Sequence, residues 1–147
     1  MGELSNYELL DLVATYAGEA GSHFMNFVTI FSAYIVAGYM LAERISKPTL
    51  ILFSALYTAV VLMPASASFM VLLLAIDLGA ELGSRQAVLG ENVSLVVALL
   101  SGKSGLFLKY SNPILQLLAY LGSITFVFRS RSQKLANARA AASGNDA

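Results

Sequence analysis

From Thr49 to Leu82 the chain reads TLILFSALYTAVVLMPASASFMVLLLAIDLGAEL, more than thirty residues almost wholly apolar and broken only by the small, Pro-bearing PASAS at the middle. At 1.5 Å per residue a continuous helix of that length runs roughly 50 Å, whereas the hydrocarbon core of a bilayer is about 30 Å thick. The surplus must bend, reverse or project. Two forms fit. In one, Pro64 removes a backbone donor and kinks a single helix while Ser66 and Ser68 re-satisfy the freed groups. In the other the chain turns back at PASAS and makes two re-entrant arms, each too short to span. Pro-kinked helices are ordinary in membranes and isolated re-entrant pairs are not, so the kinked helix is the expected form.

Composition agrees with a bilayer setting. The 147 residues are 57% hydrophobic and 12% charged, against about one quarter charged in soluble domains. The absence of Cys rules out disulfides, a thiolate nucleophile and Cys-ligated metal. The N-terminus lacks a basic region and the first long apolar run starts only near residue 23, so no cleaved signal peptide is expected.

Ser5 and Glu8 have the spacing of a capping box, with Leu4 and Leu9 as its hydrophobic staple. Leu9, Leu12, Val13, Tyr16 and Ala20 then recur on one face, opposite Glu8, Asp11, Thr15 and Glu19. This predicts an acidic amphipathic helix over 6–20. Interfacial helices that bind anionic lipid usually carry Lys and Arg, so the apolar side of this one is expected to lie against protein. Gly18 and Gly21 suggest a bend, after which 23–42 has the length of one crossing. A short connection with Arg44 and Lys47 follows, and Pro48 suits the first turn of the next helix, which spans 49–80 and projects beyond the hydrocarbon at its far end. Residues 86–100 read as a second amphipathic helix, 102–112 as a polar connection and 113–128 as the last span, opened by Pro113. A basic tail occupies 129–147, its helix continuing a turn or two before fraying.

The charge layout orients these segments. With three spans, one side holds six basic and two acidic residues (net +4) and the other three basic and seven acidic (net −4). The positive-inside rule places the basic side, with the C-terminus, in the cytoplasm and the N-terminus outside. The expected architecture is a single-domain all-α integral membrane protein of three transmembrane helices, with short amphipathic helices capping the outer side. Its general look is that of a small protein of a bacterial inner membrane.

Small and polar residues mark packed helix faces in lipid, where no hydrophobic drive brings helices together. Asn26, Thr29, Ala33 and Ala37 form such a face on the first span, and Gly38 with Ala42 a second. Tyr57 and Thr58 stand on the next span, and Gln116, Tyr120 and Ser123 line up on the last. Asn26, Tyr57, Thr58, Gln116, Tyr120 and Ser123 are therefore candidates for a polar interior or path. Mid-membrane transport sites commonly carry an ionisable group, and the central parts of these spans hold none, so hydrogen bonding between helices is the expected role. His23, Asp77 and Glu81 form the nearest ionisable group, at the outer edge; one His with scattered carboxylates is a weak metal signal.

No catalytic, metal or nucleotide motif stands out, and no cofactor or nucleic acid is expected. The sequence points to a non-enzymatic accessory or scaffold subunit, packed against another membrane protein or copies of itself within the lipid bilayer. The alternative is an oligomeric small channel or transporter whose polar stripes line the path.

Overall fold

The computed structural model describes residues 5–85, 100 and 102–144. These form α1 (Asn6–Leu41), α2 (Lys47–Ser84) and α3 (Gly102–Gly144), with no strand among the described residues. All three helices are long and apolar enough to cross a membrane. The helix expected over 86–100 lies outside the described residues except for Leu100.

α1 starts as its sequence dictates. The Ser5 backbone N–H donates to Glu8 Oε2 at 2.8 Å, and the Glu8 N–H donates to Ser5 Oγ at 3.3 Å, closing the capping box in both directions. The Ser5 backbone N–H and, second to it, the Ser5 hydroxyl, which donates to the same Oε2 at 2.8 Å, hold the Glu8 carboxyl below its ordinary value. Glu8 lies well ahead of the segment expected to cross the membrane from residue 23.

The bend expected at Gly18 and Gly21 is not there, and α1 runs unbroken through both. Each glycine costs a helix interior about 1 kcal/mol relative to Ala. Here the same stretch is held from outside: Ala20 is buried and its carbonyl accepts a hydrogen bond from Ser68 Oγ of α2 at 3.2 Å. Local propensity yields to packing.

A tight turn ends α1, with Arg44 N–H and Ile45 N–H both donating to the Leu41 carbonyl. Ser46 then caps α2 through the Thr49 N–H at 3.3 Å. α2 passes through Pro64 as one helix, so the chain does not reverse at PASAS. Ser68, expected to repair its own helix beside the proline, instead bonds to α1.

α3 begins eleven residues before Pro113, over the stretch expected to be a connection, and carries Pro113 inside it. Gly105 sits so close to the Leu100 carbonyl oxygen that a Cβ there would collide with it. Only glycine lets the first turns of α3 take that position. At the other end α3 continues to Gly144 rather than fraying early, through the Ala-rich LANARAAA, the best of helix formers.

The described residues group into two compact units, Met1–Asn26 with Pro64–Gln116 and Phe27–Met63 with Leu117–Ala147. Every helix contributes one part to each. In the first unit, Leu9 of α1 and Leu82 of α2 are both fully buried against each other, with Leu10 and Leu78 packed around them. Val13 and Ala20 on the same face are buried as well, so the apolar side of the acidic helical stretch does lie against protein. Gly79 admits Leu100, whose Cβ would stand 2.9 Å from a Cβ at that glycine. In the second unit Gly38 of α1 lets Val127 of α3 approach so closely that an added Cβ would lie 2.6 Å from Val127 Cγ2.

Candidate functional site

The most ordered constellation lies inside the second unit. Phe27, Tyr34 and Gly38 of α1 and Ala42 in the turn just after it are the buried positions there, recurring at helical spacing. The Tyr34 ring stacks on Tyr57 of α2 with centroids 3.8 Å apart and planes 10° from parallel. Phe53 flanks Tyr34 at 5.3 Å, and Tyr120 of α3 flanks Tyr57 at 5.8 Å. Four rings thus run across three helices.

Each tyrosine hydroxyl in this stack has a hydroxyl partner on a different helix. Tyr34 reaches Ser54 at 2.8 Å, Tyr57 reaches Ser123 at 3.1 Å, and Tyr120 reaches Thr58 at 2.8 Å. The proton positions follow from counting, since a hydroxyl has one hydrogen to give. Ser54 donates to the Leu50 carbonyl, Thr58 to the Ser54 carbonyl and Ser123 to the Tyr120 carbonyl. Each can therefore only accept from its tyrosine. All three tyrosines donate, and every chain of hydrogen bonds ends on a backbone carbonyl. No carboxylate, imidazole or amine takes part in these bonds, so the network itself offers no general base.

Of the residues expected to form a polar interior, Tyr57, Thr58, Tyr120 and Ser123 are brought together here. Gln116, one turn before Tyr120, is buried and donates to Asn112 Oδ1 of its own helix at 3.1 Å. Asn26 is exposed and does not enter the interior. Its predicted neighbours Thr29 and Ala33 are exposed too, because the aromatic face of α1 takes the inner position. Tyr34 is the residue the sequence reading passed over. Its signal was present: Phe27, Tyr34, Gly38 and Ala42 fall seven, four and four residues apart.

His23, Asp77 and Glu81 are not among side chains placed to share a metal ion. Asp77 is exposed, and Glu81 pairs with Arg85, just past the end of its helix, at 2.6 Å. Among the described residues no three His, Asp or Glu side chains are placed to share a metal ion.

The basic stretch of α3 makes a second constellation. Lys134 Nζ donates to the Tyr39 carbonyl at 3.2 Å in the last turn of α1, lies 4.1 Å above the centre of the Tyr39 ring, and stands 3.4 Å from Glu43 Oε1. Arg131 Nη2 donates to the Ile45 carbonyl at 3.3 Å. A cation at a helix C-terminus meets its orphan carbonyls and its negative dipole end. Two charges expected to face lipid or cytoplasm are thus engaged within the protein.

This chain matches no family model, no curated protein and no solved structure. Three apolar helices of this length are compatible with a multi-pass membrane protein.

Proposed function

We propose that this is a non-enzymatic integral membrane protein that serves as an accessory or scaffold subunit, packing its helices against another membrane protein or copies of itself. The observation that carries the reading is the closure of the tyrosine network. The polar side chains best suited to line a path are bonded to one another, and stacked rings fill the space between them. In lipid such bonds join helices. An outward row on α1 supports association: Ala14, Gly18, Ser22 and Asn26 follow at intervals of four and are all exposed. Nothing stands within 4 Å of where a Cβ on Gly18 would lie. Rows of small residues let a neighbouring helix approach closely.

We place the protein in a bacterial inner membrane, N-terminus outside and C-terminus cytoplasmic, on the charge asymmetry of its ends. The kink at Pro64 and the outer capping role of the acidic helical stretch belong to the same reading.

The test is extraction of the tagged protein from its native membrane in mild detergent, with the mass of the intact complex and the identity of co-purifying chains. A stoichiometric foreign subunit or a defined homo-oligomer is the expected result; a lone monomer overturns the proposal. The exposed Asn26 favours one second reading, an oligomeric channel with that row of α1 at its axis. Ion or solute flux in liposomes that depends on Asn26 would select it.

A further inference from the structure

The outward surface of α3 carries a groove that the tyrosine network and the Lys134 contacts leave untouched. Two ridges of residues spaced by four run beside one another on this helix, Leu118–Gly122–Phe126–Ser130 and Leu121–Thr125–Arg129–Gln133. Between them lies an open groove of about 600 Å³ lined by these eight residues. Gly122 forms its notch, since a Cβ there would meet no atom within 4 Å.

The groove changes chemistry along its length. Its first two turns present Leu118, Leu121 and Phe126. Its last two present Arg129, Ser130 and Gln133. Arg129 is exposed and has no ion-pair partner among the described residues, whereas Lys134 pairs with Glu43 and Arg131 donates to the Ile45 carbonyl. Ser130 is only 7% exposed and lines the groove. An apolar trough ending in a guanidinium without an ion-pair partner, a hydroxyl and an amide matches a molecule with a hydrocarbon chain and an anionic, multi-acceptor head.

We propose that this groove is a binding site for an anionic phospholipid of the surrounding leaflet. An acyl chain lies over Gly122 between Leu118 and Leu121, and the phosphate accepts hydrogen bonds from Arg129, Ser130 and Gln133. Arg139, exposed on the same helix beyond the groove, plays no part. The site stands apart from the accessory role and does not depend on it.

Full-length protein in mild detergent, incubated with equal amounts of phosphatidylglycerol and phosphatidylcholine, tests this by native mass spectrometry of retained lipid. Wild type is expected to keep phosphatidylglycerol in preference, and Arg129→Gln to lower its retention about fivefold, the loss of one charge–lipid attraction. Gly122→Leu, which fills the notch, is expected to lower retention of both lipids, and Arg139→Gln to change neither. Equal losses with Arg129→Gln and Arg139→Gln would mean diffuse charge attraction and overturn the site. Undiminished binding to Gly122→Leu would overturn it too, and displacement of the lipid by soluble glycerol phosphate would reassign the groove to free phosphate. If Gly122→Leu does not fold, Ser130→Ala takes its place and must lower phosphatidylglycerol retention at least twofold.

Discussion

Tyr34 and Tyr57 lie ring upon ring, 3.8 Å between centroids, and their hydroxyls leave in different directions, one to Ser54 on α2 and the other to Ser123 on α3. Aromatic pairs left to themselves favour offset or edge-on contacts over close face-to-face stacking. The hydroxyl anchors hold this pair in register, so the stack and the hydrogen bonds depend on one another.

Removing only the hydroxyl leaves the ring and its packing in place and should have a small effect, whereas removing the ring should have a large one. Tyr57→Phe is expected to cost about 0.6 kcal/mol, the mean for a hydrogen bond between membrane helices, and Tyr57→Ala about 3–5 kcal/mol. Reversible unfolding in mixed detergent micelles measures both. Similar values for the two variants would show that the stack contributes little.

Gly38 sets the approach of α1 to α3. Gly38→Ala puts a methyl group against Val127, whose branched side chain has little rotamer freedom on a helix. The expected loss is about 1–3 kcal/mol, and Val127→Ala in the same chain should recover most of it. A double variant no better than Gly38→Ala alone would place the strain elsewhere.

At the start of α1 the pH response has a definite sign. The Glu8 carboxyl is held below the usual 4.5 by its bonds from Ser5. A depressed carboxylate contributes to the folded helix at pH above its unfolded value and loses that contribution as pH falls through the lower, folded value. Amide exchange in the first turn of α1 should quicken only below about pH 4.5, and Glu8→Ala, which removes the titrating carboxyl, should abolish the pH dependence. An unchanged profile in Glu8→Ala would count against the capping box.

Orientation can be read with single cysteines, because the natural chain has none. Tyr7, 87% exposed, and Ser143, also exposed, are suitable positions. In intact cells a membrane-impermeant maleimide should label Tyr7→Cys and leave Ser143→Cys unlabelled until the membrane is opened. The reverse pattern would invert the topology.

The sequence carried the element types and the inner polar residues of α2 and α3 because both have strong local signals: long apolar runs, and Tyr, Thr and Ser at helical spacing. It misplaced the boundaries around Gly18, Gly21 and Pro113. These residues weaken a helix locally, and what offsets them comes from elsewhere, as with Ser68 bonding to the Ala20 carbonyl. The inner face of α1 was misassigned for a related reason. Polarity pointed to Asn26, Thr29 and Ala33, whereas the packed face is the one that brings Tyr34 onto Tyr57.

Arg131 and Lys134 close the end of α1 and the turn after it from about ninety residues further along the chain. A ribosome delivers α1 and α2 long before it delivers those two side chains. Until then the carbonyls of Tyr39 and Ile45 have only water or lipid head groups to bond. The first hairpin is thus born with one end unlatched, and the late arrival of α3 is what locks it.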